Sequence, residues 1–70
     1  MAIIKKGQVK LVIFTDDNGE VKNKICKIVD TDDKGIEIQY WDIKENKELD
    51  TKPFFITWSN VKKIKEVSSQ

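Results

Sequence analysis

Apolar and polar positions alternate with a period of two through most of the chain, and the alternation is broken at short polar clusters. Val9, Leu11 and Ile13 alternate with Lys10, Val12 and Phe14, which predicts a first strand by period and by β-branched content. Asp16-Asp17-Asn18-Gly19 follows, and its Asn-Gly step predicts a type I′ hairpin turn, with φ > 0 at both central residues. The return strand runs from about Glu20 to Asp30. Val21 and Ile25 share one of its faces, whereas Cys26 and Ile28 lie on the other. That phase change predicts a bulge or bend near Cys26-Lys27. Thr31-Asp32-Asp33-Lys34-Gly35 forms the next turn, with Gly35 suited to a left-handed position.

The third strand carries Ile36, Ile38 and Tyr40 on one face and Glu37, Gln39, Trp41 and Ile43 on the other. From Lys44 to Lys52 the chain is polar and reads as a loop or hairpin tip. Pro53 suits the first residue of a strand, where no ladder N–H is required. Phe54, Ile56 and Trp58 then point one way, and Phe55 and Thr57 the other. Ser59-Asn60 turns the chain. The spacing of Val61, Ile64 and Val67 also fits a short helix capped by Ser59 or Asn60. A short strand after one 3₁₀-like turn is preferred, because the segment directly follows a strong strand. Ser68-Ser69-Gln70 reads as a frayed tail to a single domain covering residues 1–70.

Five strands with short turns and a bent second strand predict an all-β fold. The pattern resembles a small, five-stranded, antiparallel SH3-like barrel. Within that class, Phe55-Ile56-Thr57-Trp58-Ser59-Asn60-Val61-Lys62-Lys63-Ile64 resembles the last two strands of the Sm-like family, with Thr57 where that pattern carries proline. The resemblance spans roughly Val9 to Val67 and implies barrel closure by the final strands. The RNA-binding part of the Sm pattern is absent. The turn after the second strand, Asp30 to Gly35, lacks its Asn and any aromatic for stacking, and Ser59-Asn60 stands where a basic residue and glycine are expected.

Such a barrel is expected to hold Val9, Leu11, Ile13, Ile36, Ile38, Tyr40, Phe54, Ile56 and Trp58 inside. Val12, Phe14, Trp41, Ile43 and Phe55 then face outward. With a tight turn at Glu45-Asn46-Lys47, Trp41 lies opposite Thr51; with one long loop it lies opposite Phe55. Both registers have the same parity, so periodicity does not choose between them. An outward Trp and Phe together form an apolar patch of the kind found at interfaces. The competing expectation is that Ile3-Ile4 folds back over this face.

Seventy residues make one small domain, with no room for a deep cleft beside the core. Thirteen lysines nearly balance twelve acidic residues, leaving a net charge of +1, so the overall field does not favour phosphate. The chain has no His, hence no side chain with an ordinary pKa between about 5 and 8. Its carboxylates cluster in turns, where solvation is expected, and Cys26 reads as a buried thiol despite neighbouring Lys24 and Lys27. No enzymatic activity and no cofactor are expected. Asp30, Asp32 and Asp33 lack the spacing of an EF-hand, so no metal is expected either. No segment has a signal-peptide core or membrane-spanning length, and a cytoplasmic location is expected.

The expected function is that of a non-enzymatic interaction module, self-associating or docking on a protein partner through Phe14, Trp41, Ile43 and Phe55. The alternative is nucleic-acid binding, Sm-like RNA binding above all, through Lys22, Lys24 and Lys27 on the second strand and Lys62 and Lys63 on the last, with Tyr40 and Trp41 for stacking.

Overall fold

Three aspartates head the chain reversals. Asp16 Oδ1 accepts the amides of Asn18 and Glu20, Asp32 Oδ1 those of Lys34 and Gly35, and Asp42 Oδ1 those of Lys44 and Glu45, all at 2.8–3.2 Å. A carboxylate that satisfies turn amides makes each reversal local and compact. In the computed structural model, which describes residues 4–67, these turns separate β1 (Val9–Thr15), β2 (Val21–Thr31), β3 (Gly35–Asp42) and β4 (Lys47–Glu48). β5 (Phe54–Thr57) and β6 (Val61–Lys65) follow, joined by a 3₁₀ turn at Trp58–Asn60. The preferred strand after a single 3₁₀ turn is therefore found, whereas the helix is not.

The first reversal differs from the expected type I′ turn. Asp16 N–H bonds to the Glu20 carbonyl (2.8 Å), which leaves a three-residue tip in which only Gly19 has positive φ (80°). This is the three-residue hairpin with a left-handed glycine, and the Asp16 carboxylate favours it by capping two of its amides.

All six strands are antiparallel in one sheet, ordered β4-β3-β2-β1-β6, with β5 paired to β3. The sixth strand, β4, comes from the polar 44–52 segment. β5 and β6 stand at opposite margins of the sheet, yet three residues join them, so the sheet must curl until its margins approach at that end. Among the described residues β5 and β6 share no ladder.

The curled sheet encloses Val12, Phe14, Cys26, Ile28, Ile36, Ile38 and Ile56, with Ile4, Tyr40, Phe54, Val61 and Ile64 packed around them. This reverses the expected faces of β1: Val12 and Phe14 are inside, and Val9, Leu11 and Ile13 lie half-buried on the outer face. The run from Val9 to Phe14 is apolar at both parities, so pairing decides. Lys10 stands opposite Cys26, and Val12 opposite Ile64, which puts the even residues of β1 inward. Lys10 is consequently only 7% exposed, and its Nζ reaches Glu66 Oε2 at 2.7 Å. The bend in β2 is also displaced. Cys26 and Ile28 remain in phase, and the register shifts between Ile28 and Asp30, around exposed Val29.

Trp58, expected in the core, is exposed. β5 ends at Thr57, so its alternation stops, and the Trp58 indole N–H donates to the Asp32 carbonyl (2.9 Å). Gly35 is not left-handed as expected. It is needed for space: a Cβ there would run into the Ile56 carbonyl oxygen and come within 2.8 Å of Phe55 Cζ and Thr57 Cα. Ile4 packs on the core rather than over the outer face. Ile3 and the tail at 68–70 lie outside the described residues.

Candidate interaction surface

The register of β5 on β3 fixes the position of Phe55. Ile36 pairs with Ile56 and Ile38 with Phe54, so Phe55 stands opposite Glu37 on the outer face. Its ring lies against the notch left by Gly35, and the residue remains 51% exposed. Trp41 pairs with Glu48, so neither expected register forms. The cause is Gln39. Buried at the strand edge, its Nε2 donates to the carbonyls of Leu49 (3.2 Å) and Thr51 (2.8 Å); the Leu49 amide still bonds to the Tyr40 carbonyl, and the chain leaves the ladder over 50–53. Glu37 and Trp41 are four residues apart on β3, about 13 Å at the rise of a strand. Phe55 and Trp41 therefore occupy opposite ends of the outer face.

The four residues expected to form a partner face separate accordingly. Trp41 is half-buried, with Lys27 Nζ 4.7 Å from its ring centroid and its indole N–H buried without an acceptor among the described residues. Ile43 is exposed in the β3–β4 tip. Phe14 belongs to the core, and its ring is 5.9 Å from that of Phe54. Phe14 and Phe55 nevertheless meet at one feature. A cleft of about 320 Å³ is lined by Phe14, Phe54, Phe55 and Ile56, by Asp16 and Asp17 of the first turn, and by Thr57 and Asn60. On the other flank of Phe55, a second cleft of about 90 Å³ is lined by Asp30, Thr31, Asp32 and Glu37. Phe55 is thus a ridge between two grooves with acidic walls. No lysine lines either one.

The electrostatics of these walls differ residue by residue. The Glu20 amide, followed by that of Asn18 and the nearby Lys22, holds the Asp16 carboxyl below its usual range. Lys22 lies 3.7 Å from Asp16, and Lys6 lies 3.9 Å from Asp30. Asp17, Asp32 and Glu37 have no ion-pair partner within 4.0 Å among the described residues.

The lysines expected to act together do not form one row. Lys22 and Lys24 lie on the same face as Cys26, opposite Phe14 and Val12, and Lys24 Nζ is 5.8 Å from the Tyr40 ring centroid. Lys27 lies on the other face, opposite Val9 and Gln39. Lys63 stands opposite Ile13 on that outer face, and adjacent Lys62 falls where the β1–β6 register shifts. The Cys26 thiol is buried and pushed up to about 12, mainly by burial and against the pull of Lys24. Among the described residues there is no group of three or more acidic or Cys side chains placed to hold a metal ion.

Sequence periodicity located Phe55 but missed its acidic surroundings. The signal was present in the turn composition, Asp16-Asp17 and Asp30 to Asp33. Its use required the pairing of Phe55 with Glu37 and the curl of the sheet, which together bring the two turns to either side of one ring. No protein family, curated protein or solved structure was found to match this chain.

Proposed function

We propose that this chain is a small SH3-like barrel acting as a non-enzymatic interaction module, and that it docks a protein partner at Phe55 and the cleft beside it. The observation that carries this reading is a phenylalanine 51% exposed at the rim of a cleft whose floor includes Phe14 and Phe54. Aromatic anchors beside pockets supply a disproportionate share of binding energy at interfaces. The barrel reading is supported by the three-residue link between β5 and β6 and by the packing of Phe14 on Phe54 from strands that are not neighbours. The alternative through Lys22, Lys24, Lys27, Lys62 and Lys63 has less support, since the lysines divide between the two faces of the sheet.

The test is a panel of short peptides of mixed composition, followed by amide chemical shifts. Docking predicts that binders perturb Phe55, Thr57 and Phe14, and that Phe55→Ala weakens them about tenfold or more. A panel with no binder, or binders indifferent to Phe55→Ala, overturns this reading. Binding of a mixed single-stranded oligonucleotide, weakened by salt and by Lys63→Glu, would favour the nucleic-acid alternative.

A further inference from the structure

We infer that the partner segment is an extended, basic one, with lysine or arginine alternating with apolar residues, laid along the free edge of β5. This rests on the docking reading above and specifies the chemistry of the occupant.

The backbone supplies the first part. Trp58 N–H donates to the Lys34 carbonyl at 3.1 Å. Bonded pairs recur every second residue in an antiparallel ladder, so Ile56 and Phe54 continue that bonding to β3. The N–H and C=O groups of Phe55 and Thr57 therefore point away from β3, and both residues line the larger cleft. A strand margin beside a cleft can take up an extended segment through main-chain hydrogen bonds.

The two faces of β5 supply the second part. Successive side chains of an added strand point to opposite sides. One set meets half-buried Phe54, beneath which lie the buried Phe14 and Ile56, and this suits apolar residues. The other set meets Phe55, with Asp17 on one flank and Glu37 and Asp32 on the other. A lysine or arginine there lays its aliphatic stem and its charge against the Phe55 ring while the head group reaches a carboxylate. The chain is net positive, with thirteen lysines, yet both clefts are walled by carboxylates alone among charged side chains. That local reversal of sign selects against an acidic segment.

The probes are three short peptides in which leucine alternates with lysine, glutamine or glutamate, titrated into the full chain and followed by amide shifts. The lysine peptide is expected to perturb Phe55 and Thr57 and to bind about tenfold or more tighter than the glutamine peptide. It should weaken as salt rises. The double variant Asp17→Asn, Glu37→Gln touches neither the core nor the turn hydrogen bonds, and it should reduce the preference for lysine to what Asp32 sustains. Equal or tighter binding of the glutamine or glutamate peptide, or a lysine preference unchanged in the double variant, overturns the inference. The docking reading survives in that case if binders still depend on Phe55. Shifts at Phe55 that grow with protein concentration, without peptide, would assign the cleft to a second copy of the chain and likewise overturn it.

Discussion

The rings of Phe14 and Phe54 lie 5.9 Å apart at 57°, although β1 and β5 are separated in the sheet by β2 and β3. Phe54 also meets Tyr40 edge-on at 5.4 Å. The first contact spans the hollow of the curled sheet, the second joins paired strands, and Phe14 is only 2% exposed. Truncating a buried Phe to Ala costs about 3–5 kcal/mol, comparable to the whole net stability of a domain this small, about 3–5 kcal/mol. Phe14→Ala is expected to abolish cooperative unfolding, whereas Leu11→Ala, on the outer face, should leave a folded chain with a lower midpoint. Urea melts of the two variants would distinguish these faces, and equal losses would contradict the assignment.

Gly35 permits the close approach of β5 to β3. Gly35→Ala places a methyl against the Ile56 carbonyl, where backbone cannot yield as a side-chain tip would. The expected cost is about 1–3 kcal/mol, with displacement of the Phe55 ring. Thermal unfolding, together with amide shifts at Phe55 and Thr57, would measure both effects. A variant as stable as the parent would show that the two strands are not so close.

Lys10 and Glu66 are unequal partners, since one side chain is 9% exposed and the other 83%. Solvent around Glu66 screens the pair, so Glu66→Gln should cost only about 1 kcal/mol or less. Replacing the buried cation by an apolar chain of similar length is a different experiment. Lys10→Met removes the desolvation penalty and is expected to be neutral or stabilising. A large loss in Lys10→Met would mean that the ion pair, rather than burial of the stem, holds residues after β6 in place.

Asp16 links the first turn to pH. Its carboxyl is lowered from an ordinary value of 3.8, chiefly by the Glu20 amide. A group whose value is lower in the folded chain stabilises above its unfolded value, and the contribution is lost as pH falls through the folded value. The gap in melting temperature between the parent and Asp16→Ala should therefore be full near neutrality and shrink below about pH 4. A gap that is constant down to about pH 2 would assign the effect to shape alone.

Burial and a value near 12 keep the Cys26 thiol protonated at neutral pH. Thiolate is the reactive form, so alkylation of the native chain should be slow and should accelerate on unfolding in denaturant. Labelling at the same rate in both states would place Cys26 at the surface.

Five of the six strands were legible without coordinates because alternation, turn residues and the glycine at Gly19 are local signals, whereas β4 lies in a polar segment with no alternation to mark it. The all-β class, the 3₁₀ corner after Thr57 and the inward placement of Ile36, Ile38, Phe54 and Ile56 follow from them. The faces of β1 were not legible, since Val9 to Phe14 is apolar at both parities and only its pairing with β2 and β6 chooses Val12 and Phe14. The partner of Trp41 was hidden for a related reason. It depends on Gln39, a polar residue whose bonds to Leu49 and Thr51 lift a segment out of the ladder. The acidic clefts were the least visible of all. Asp16-Asp17, Asp30 to Asp32, Glu37 and Phe55 are far apart in sequence, and only the curl of the sheet and the closure of β5 against β3, through the space left by Gly35, bring them around one ring.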